Sequence, residues 1–121
     1  MARILIADDR AAGRELIRSM LECIGHDVDE AENGAQVFVR MAERKPDLVL
    51  LDLQMPVMNG FEVARAMQAD PDLSRVPAVA VTASAMQGDR EKALQQGFSG
   101  YLTKPLRLAE LRKELDRLLN R

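Results

Sequence analysis

The chain has one cysteine, one histidine, no tryptophan and nearly balanced charge. Cys23 alone can form no internal disulfide; it falls in a helical pattern and reads as a small core or boundary residue. No apolar run approaches the ~18 residues of a membrane span. Met1-Ala2-Arg3 leads straight into a strand-like run, which excludes a signal peptide and makes the cytoplasm the default location. With 17 basic and 19 acidic residues the net charge is −2, so the basic footprint of a nucleic-acid binder is missing. His26 lies beside Gly25 at a helix end, far along the chain from the acidic residues of interest. It reads as a surface turn residue, not a phosphoryl carrier. There is no linker, repeat or low-complexity stretch. The 121 residues, 47% hydrophobic, read as one domain (1–121) with a full core and no room for an output domain.

What is present is an alternation. Five short strand-like runs stand out: Arg3–Ala7, Asp27–Ala31, Leu48–Asp52, Ala78–Thr82 and Gly100–Thr103; the apolar ones among them read as buried parallel strands. Between and after them lie helix-like stretches: Ala11–Ile24, Gly34–Arg44, Phe61–Ala69, Arg90–Gln96 and Leu108–Asn120. Strict alternation predicts an α/β fold, a parallel sheet with right-handed crossovers and helices on both faces. Leu108, Leu111, Leu115 and Leu118 form one apolar stripe; Leu16, Met20, Cys23 and Ile24 form another. Gly25 and Gly97 fall where left-handed C-caps are expected. Asn59-Gly60 signals a turn before the third helix. Arg112, Lys113, Arg117 and Arg121 read as a solvated helix face.

Polar residues stand at the ends of the apolar runs. Asp8 and Asp9 follow Ile4-Leu5-Ile6-Ala7, Asp52 closes Leu48-Val49-Leu50-Leu51, Thr82 closes Ala78-Val79-Ala80-Val81, and Lys104 follows Tyr101-Leu102-Thr103. In a parallel α/β sheet, ligands bind in the crevice beyond the strands' carboxyl ends, so these groups should meet there. Three carboxylates ~4 Å apart repel by ~1 kcal/mol per pair in water and by ~4 at an effective dielectric of 20. A hard divalent cation such as Mg²⁺, which prefers oxygen ligands and pairs with phosphate, removes the conflict. Carboxylates, a hydroxyl and an amine beside such a cation suit phosphoryl transfer.

These residues resemble the response-regulator receiver domain of two-component signalling. The resemblance spans nearly the whole chain through Ile6-Ala7-Asp8-Asp9, the run Leu51-Asp52-Leu53-Gln54-Met55-Pro56-Val57-Met58-Asn59-Gly60, Ala80-Val81-Thr82-Ala83 and Tyr101-Leu102-Thr103-Lys104-Pro105. It implies a flavodoxin-like (βα)5 doubly wound sheet of order 2-1-3-4-5. It also implies roles. Asp52 is the nucleophile that becomes an aspartyl phosphate. Asp9 binds Mg²⁺ directly, Asp8 mostly through water, and the Gln54 carbonyl joins Asp52 as a further ligand. Lys104, and Thr82 with the Ala83 N–H, hold phosphoryl oxygens. Gln54 and Ser84 tune the phosphate lifetime. Tyr101 is a switch ring that turns inward as Thr82 moves. A cis peptide before Pro105 aims the amine. The implied phosphodonor is a histidine kinase or histidine phosphotransfer protein. The implied listener is a downstream protein, or a second copy in a phosphorylation-dependent homodimer, docking on the face of the fourth helix, fifth strand and fifth helix. Neither nucleic acid nor membrane enters. The domain catalyses its own phosphorylation and dephosphorylation and turns over no external substrate.

Three rivals fit less well. A haloacid-dehalogenase-type phosphohydrolase shows Asp-x-Asp at the end of the first strand, whereas Asp52-Leu53-Gln54 lies on the third. A flavodoxin-like cofactor carrier needs a Ser/Thr/Gly-rich phosphate loop where this chain has Asp8-Asp9-Arg10. A degenerate, docking-only receiver would not retain all five key positions. Stand-alone receivers of the DivK type and receiver modules of hybrid histidine kinases both match the stretch from Val81 to Asp89.

Overall fold

A computed structural model describes residues 2–55, 57–83 and 88–119. Five strands, β1 (Arg3–Ala7), β2 (Asp27–Ala31), β3 (Leu48–Asp52), β4 (Ala78–Thr82) and β5 (Gly100–Thr103), alternate with five helices. These are α1 (Ala11–Ile24), α2 (Gly34–Glu43), α3 (Gly60–Ala69), α4 (Asp89–Gln95) and α5 (Leu108–Leu119). All strand pairs are parallel and the order is β2-β1-β3-β4-β5, as expected. The order reverses at β1, where β1 lies between β2 and β3 and leaves a crevice above its carboxyl end.

Side chains alternate across the sheet, and this splits the core in two. Ile4, Ile6, Leu48, Leu50, Val79, Val81 and Leu102 pack with Ile17 and Leu21 of α1 and Leu111, Leu115 and Leu118 of α5. On the other face Leu5, Ala7, Val49, Leu51, Ala78, Ala80 and Tyr101 pack with α2, α3 and Ala93 of α4. Both faces of β3 and β4 are covered, so every residue of these strands is buried.

Two apolar stripes need correction. In α1 the buried residues are Ile17 and Leu21, with Met20 and Ile24 packed beside them; Leu16 is 57% exposed and Cys23 is exposed. A stripe on 17, 20, 21 and 24 leaves positions 16 and 23 about one residue's 100° turn off the core-facing line. In α5 Leu108, the first helical residue, is 41% exposed, so burial begins at Leu111. His26 is not a plain surface residue: it is half-buried and its Nδ1 accepts from the Ala2 N–H at 3.2 Å. Arg117 is also more than solvated. It pairs with Glu114 and donates to the Ser99 carbonyl at 2.8 Å.

Helix ends follow capping chemistry. Gly25 takes φ 107° and its N–H reaches the carbonyls of Leu21 and Glu22, the left-handed cap expected there. α3 begins one residue earlier than expected. Asn59 and Glu62 form a reciprocal capping box, which brings Gly60 into the helix. A Cβ on Gly60 would lie 2.7 Å from the Asp52 carbonyl oxygen, so only glycine lets this helix start seat directly on the end of β3. On the open side of β2, Arg40 Nε donates to the Glu30 carbonyl at 3.0 Å, while Arg14 and Arg18 hold the Glu30 carboxylate.

The corrected stripe is testable by urea unfolding. Leu21→Ala should cost about 2–5 kcal/mol, as for a fully buried leucine. Leu16→Ala and Cys23→Ala should each stay within about 0.5 kcal/mol. Equal costs for Leu16 and Leu21 would contradict the packing described.

Candidate functional site: an acidic cleft at the strand carboxyl ends

β1 and β3 run in register, Ala7 opposite Leu51, so they end level. Asp52 belongs to the same alternation as Leu48 and Leu50, and so projects on the side covered by α1 and α5. Asp8 leaves β1 on that side, with its N–H bonded to the Ala31 carbonyl at 3.1 Å. Lys104 leaves β5 with its N–H on the Thr82 carbonyl at 2.8 Å, next to a cis peptide before Pro105.

The three elements converge on one ammonium. Lys104 Nζ donates to Asp8 Oδ2 at 2.8 Å and to Asp52 Oδ2 at 3.3 Å. Asp8 Oδ1 accepts from the Arg10 N–H at 2.9 Å, and Asp52 Oδ1 from the Gln54 N–H at 3.0 Å. Asp8 is 1% and Asp52 9% exposed, while Asp9 is exposed at the mouth. One carboxylate oxygen from each of Asp8, Asp9 and Asp52 lies within 4.8 Å of the other two.

The electrostatics are unbalanced. Three carboxylates against one ammonium leave two negative charges in a small volume. Burial pushes the Asp52 carboxyl above its ordinary range; the Gln54 N–H and Lys104 pull it down and the Asp8 charge adds to the rise. Burial acts against the Lys104 ammonium, but its hydrogen bonds and attraction to Asp8 and Asp52 outweigh that and raise its pKa. The lysine therefore stays charged. An all-oxygen donor set with two excess negative charges, open at Asp9, fits a hard divalent cation.

The other expected residues fall around this center. Thr82 is buried at the end of β4, in register with Thr103 of β5. Gln54 is exposed and its main chain braces Asp52. Tyr101 points inward, 7% exposed within the α2–α3–α4 core. Among the described residues its buried hydroxyl has no hydrogen-bond partner, and burial, with the charge of Asp89, raises its pKa. The wet hydroxyl common for tyrosine is not what this ring has. Ser84 lies outside the described residues. Arg14 escaped the sequence reading. Its Nη1 donates to the Asp8 carbonyl at 2.8 Å while its Nε holds Glu30 at 3.0 Å, so it braces the loop that carries Asp8 and Asp9. Its position one turn into α1 was the available signal.

Known proteins share this arrangement. The chain is 39% identical over 119 residues to the protein PilH of Pseudomonas aeruginosa, covering 98% of each chain. It is 35% identical over 103 residues to the polar-differentiation response regulator DivK of Brucella anthropi, covering 85% of this chain and 84% of that one. Among solved structures it resembles the receiver domain of a sensor histidine kinase from P. aeruginosa PAO1, with a TM-score of 0.88, 39% identity and coverage of 99% and 98%. That structure has a magnesium ion coordinated in the active site cleft. With residues 4–116 matching the model of the response regulator receiver domain, the chain belongs to that family.

Proposed function

We propose that residues 1–121 form a receiver domain that accepts a phosphoryl group on Asp52 and passes the signal to another protein. The observation that carries this reading is the Lys104 ammonium held between the Asp8 and Asp52 carboxylates beneath the open carboxylate of Asp9. Asp8, Asp9, Asp52 and the Gln54 carbonyl would hold Mg²⁺, which when bound supplies positive charge against the repulsion among these oxygens and the phosphoryl group.

The chain's own residues do the rest. A carboxylate oxygen of Asp52 attacks phosphorus, and the donor's bond to phosphorus breaks with its electron pair leaving on the donor. The donor would be a phosphohistidine of a histidine kinase or phosphotransfer protein, in keeping with the family's signalling role. Lys104 is already charged and placed to follow a phosphoryl oxygen. Thr82, with the Ala83 N–H, would take another. Positioning and charge neutralisation are most of what this chemistry needs. Thr82 and Tyr101 would carry the change to the face made by α4, β5 and α5. The buried threonine supports that part; the Tyr101 ring already points inward here, so the inward turn expected of it is not what the phosphoryl group would add. Gln54, at the exposed rim, and Ser84 would tune how long the phosphate survives.

Acetyl phosphate with Mg²⁺ should add one phosphoryl group, ~80 Da by intact mass on the scale of one such modification, to the wild type and not to Asp52→Asn. An adduct that persists in the variant would move the site elsewhere.

Mg²⁺ should bind without phosphate. At a hundred times its dissociation constant it should stabilise the fold by about 2.7 kcal/mol, read as a rise in Tm. Asp9→Ala should weaken this binding severely; unchanged affinity would remove Asp9 from the ligand set.

The raised pKa of Asp52 carries a sign. A carboxyl that binds its proton more tightly folded than unfolded loses stability as pH climbs from its unfolded value, 3.8, through its folded one, so at neutral pH the ionised group is a burden. In metal-free protein at pH 7, Asp52→Asn should therefore melt higher than wild type, and the gap should close as pH falls below about 4. A lower Tm for the variant at pH 7 would reverse the stated balance of burial and pairing.

A further inference from the structure

Gly13 stands in the first turn of α1, where glycine is the poorest helix former after proline. Its φ is not among the positive values found at Gly25, Gly88 and Gly97, so the backbone does not require it. Space does. A Cβ on Gly13 would lie 2.7 Å from Asp8 Oδ2 and 3.4 Å from Asp8 Cγ. The first distance is well inside contact for carbon and oxygen.

The Asp8 carboxylate cannot step aside freely. Oδ2 is held by Lys104, Oδ1 by the Arg10 N–H, and the residue is 1% exposed. Its main chain is fixed as well, through the Arg14 guanidinium on its carbonyl. The case of Gly60 differs, because its missing side chain makes room for backbone of Asp52 and Leu53 and thus governs the path of the chain. At Gly13 the space is filled by the charged end of a side chain.

We propose that Gly13 is a positioning residue of the acidic site: its missing side chain leaves the space in which the Asp8 carboxylate meets the Lys104 ammonium and faces Asp9 and Asp52. A larger residue at 13 drives that carboxylate off the lysine and disturbs the oxygen cluster. Gly13 touches none of the reacting atoms and acts through Asp8. The part that concerns the cation rests on the Mg²⁺ reading above; the part that concerns Asp8 and Lys104 does not.

The test is a double-mutant cycle on the whole chain, melted without metal. Gly13→Ala should lower Tm by a few degrees in the wild type. In Asp8→Ala, where no carboxylate stands in the way, the same change should raise Tm, because only the gain in helix propensity remains. Equal shifts in the two backgrounds would overturn the proposal. So would failure of Gly13→Ala to fold in both, while folding only in the Asp8→Ala background supports it. A second readout is Mg²⁺ titration followed by amide NMR. Gly13→Ala should weaken binding at least tenfold and move the Arg10 amide, which reports on Asp8 Oδ1. An unchanged affinity with an unmoved Arg10 amide would also overturn the proposal. If the wild type itself shows no saturable Mg²⁺ binding, the cation reading fails alone and the melting cycle still decides the role of Gly13.

Discussion

All strands of a parallel sheet finish at the same edge, and the rest of the site depends on that constraint. β1, β3, β4 and β5 contribute one apolar ladder and then, at one level, Asp8, Asp52, Thr82 and Lys104. Four stretches of chain distant in sequence thus meet without any local motif linking them. The cost is like charge gathered at the rim of a hydrophobic core. Lys104 offsets part of it, and its own burial is tolerated because two carboxylates receive it. Removing Lys104, which would leave both carboxylates without their cation, is far more disruptive than removing an exposed charge, so that position leaves the sequence little freedom.

The fold was legible because its signals are redundant. Every strand falls where expected to the residue; β3 and β4 are the plainest, since both of their faces are covered and no polar residue interrupts them, while β2, at the sheet edge, is mostly acidic and only partly buried. Helix limits moved by a residue where capping decides them, as with Asn59 and Glu62. The misread stripe of α1 has a simple cause. Leu16 and Ile17 are adjacent and equally apolar, and a pattern over 14 residues cannot say which one faces the sheet. Packing into the core on that face of the sheet chose Ile17.

The site was legible in its charged members and not in its supports. Asp8, Asp9, Asp52 and Lys104 announce themselves by standing at the ends of apolar runs. Arg14 and Gly13 do not, because their meaning lies in what they touch across the β1–α1 turn. An arginine on a helix is ordinarily a solvated charge, and a glycine in a first turn ordinarily a weak helix former; only the placement of Asp8 gives either a task. The inward Tyr101 likewise joins opposed terms of similar size. Burying its ring is worth about 1.5–3 kcal/mol, while a buried hydroxyl without a partner costs about 1–3. A ring so balanced can be moved by modest changes nearby.

Arg40 reaches across the outer side of β2 to the Glu30 carbonyl, one of the main-chain acceptors that an edge strand offers to any extended chain that comes alongside. Charged neighbours at Asp27 and Asp29, and the arginines gathered on the Glu30 carboxylate, would have to be displaced or stripped of water for another strand to add there. The sheet is thereby closed to growth on that side. Copies crowded together at high concentration would be kept from stitching into continuous β-structure through β2.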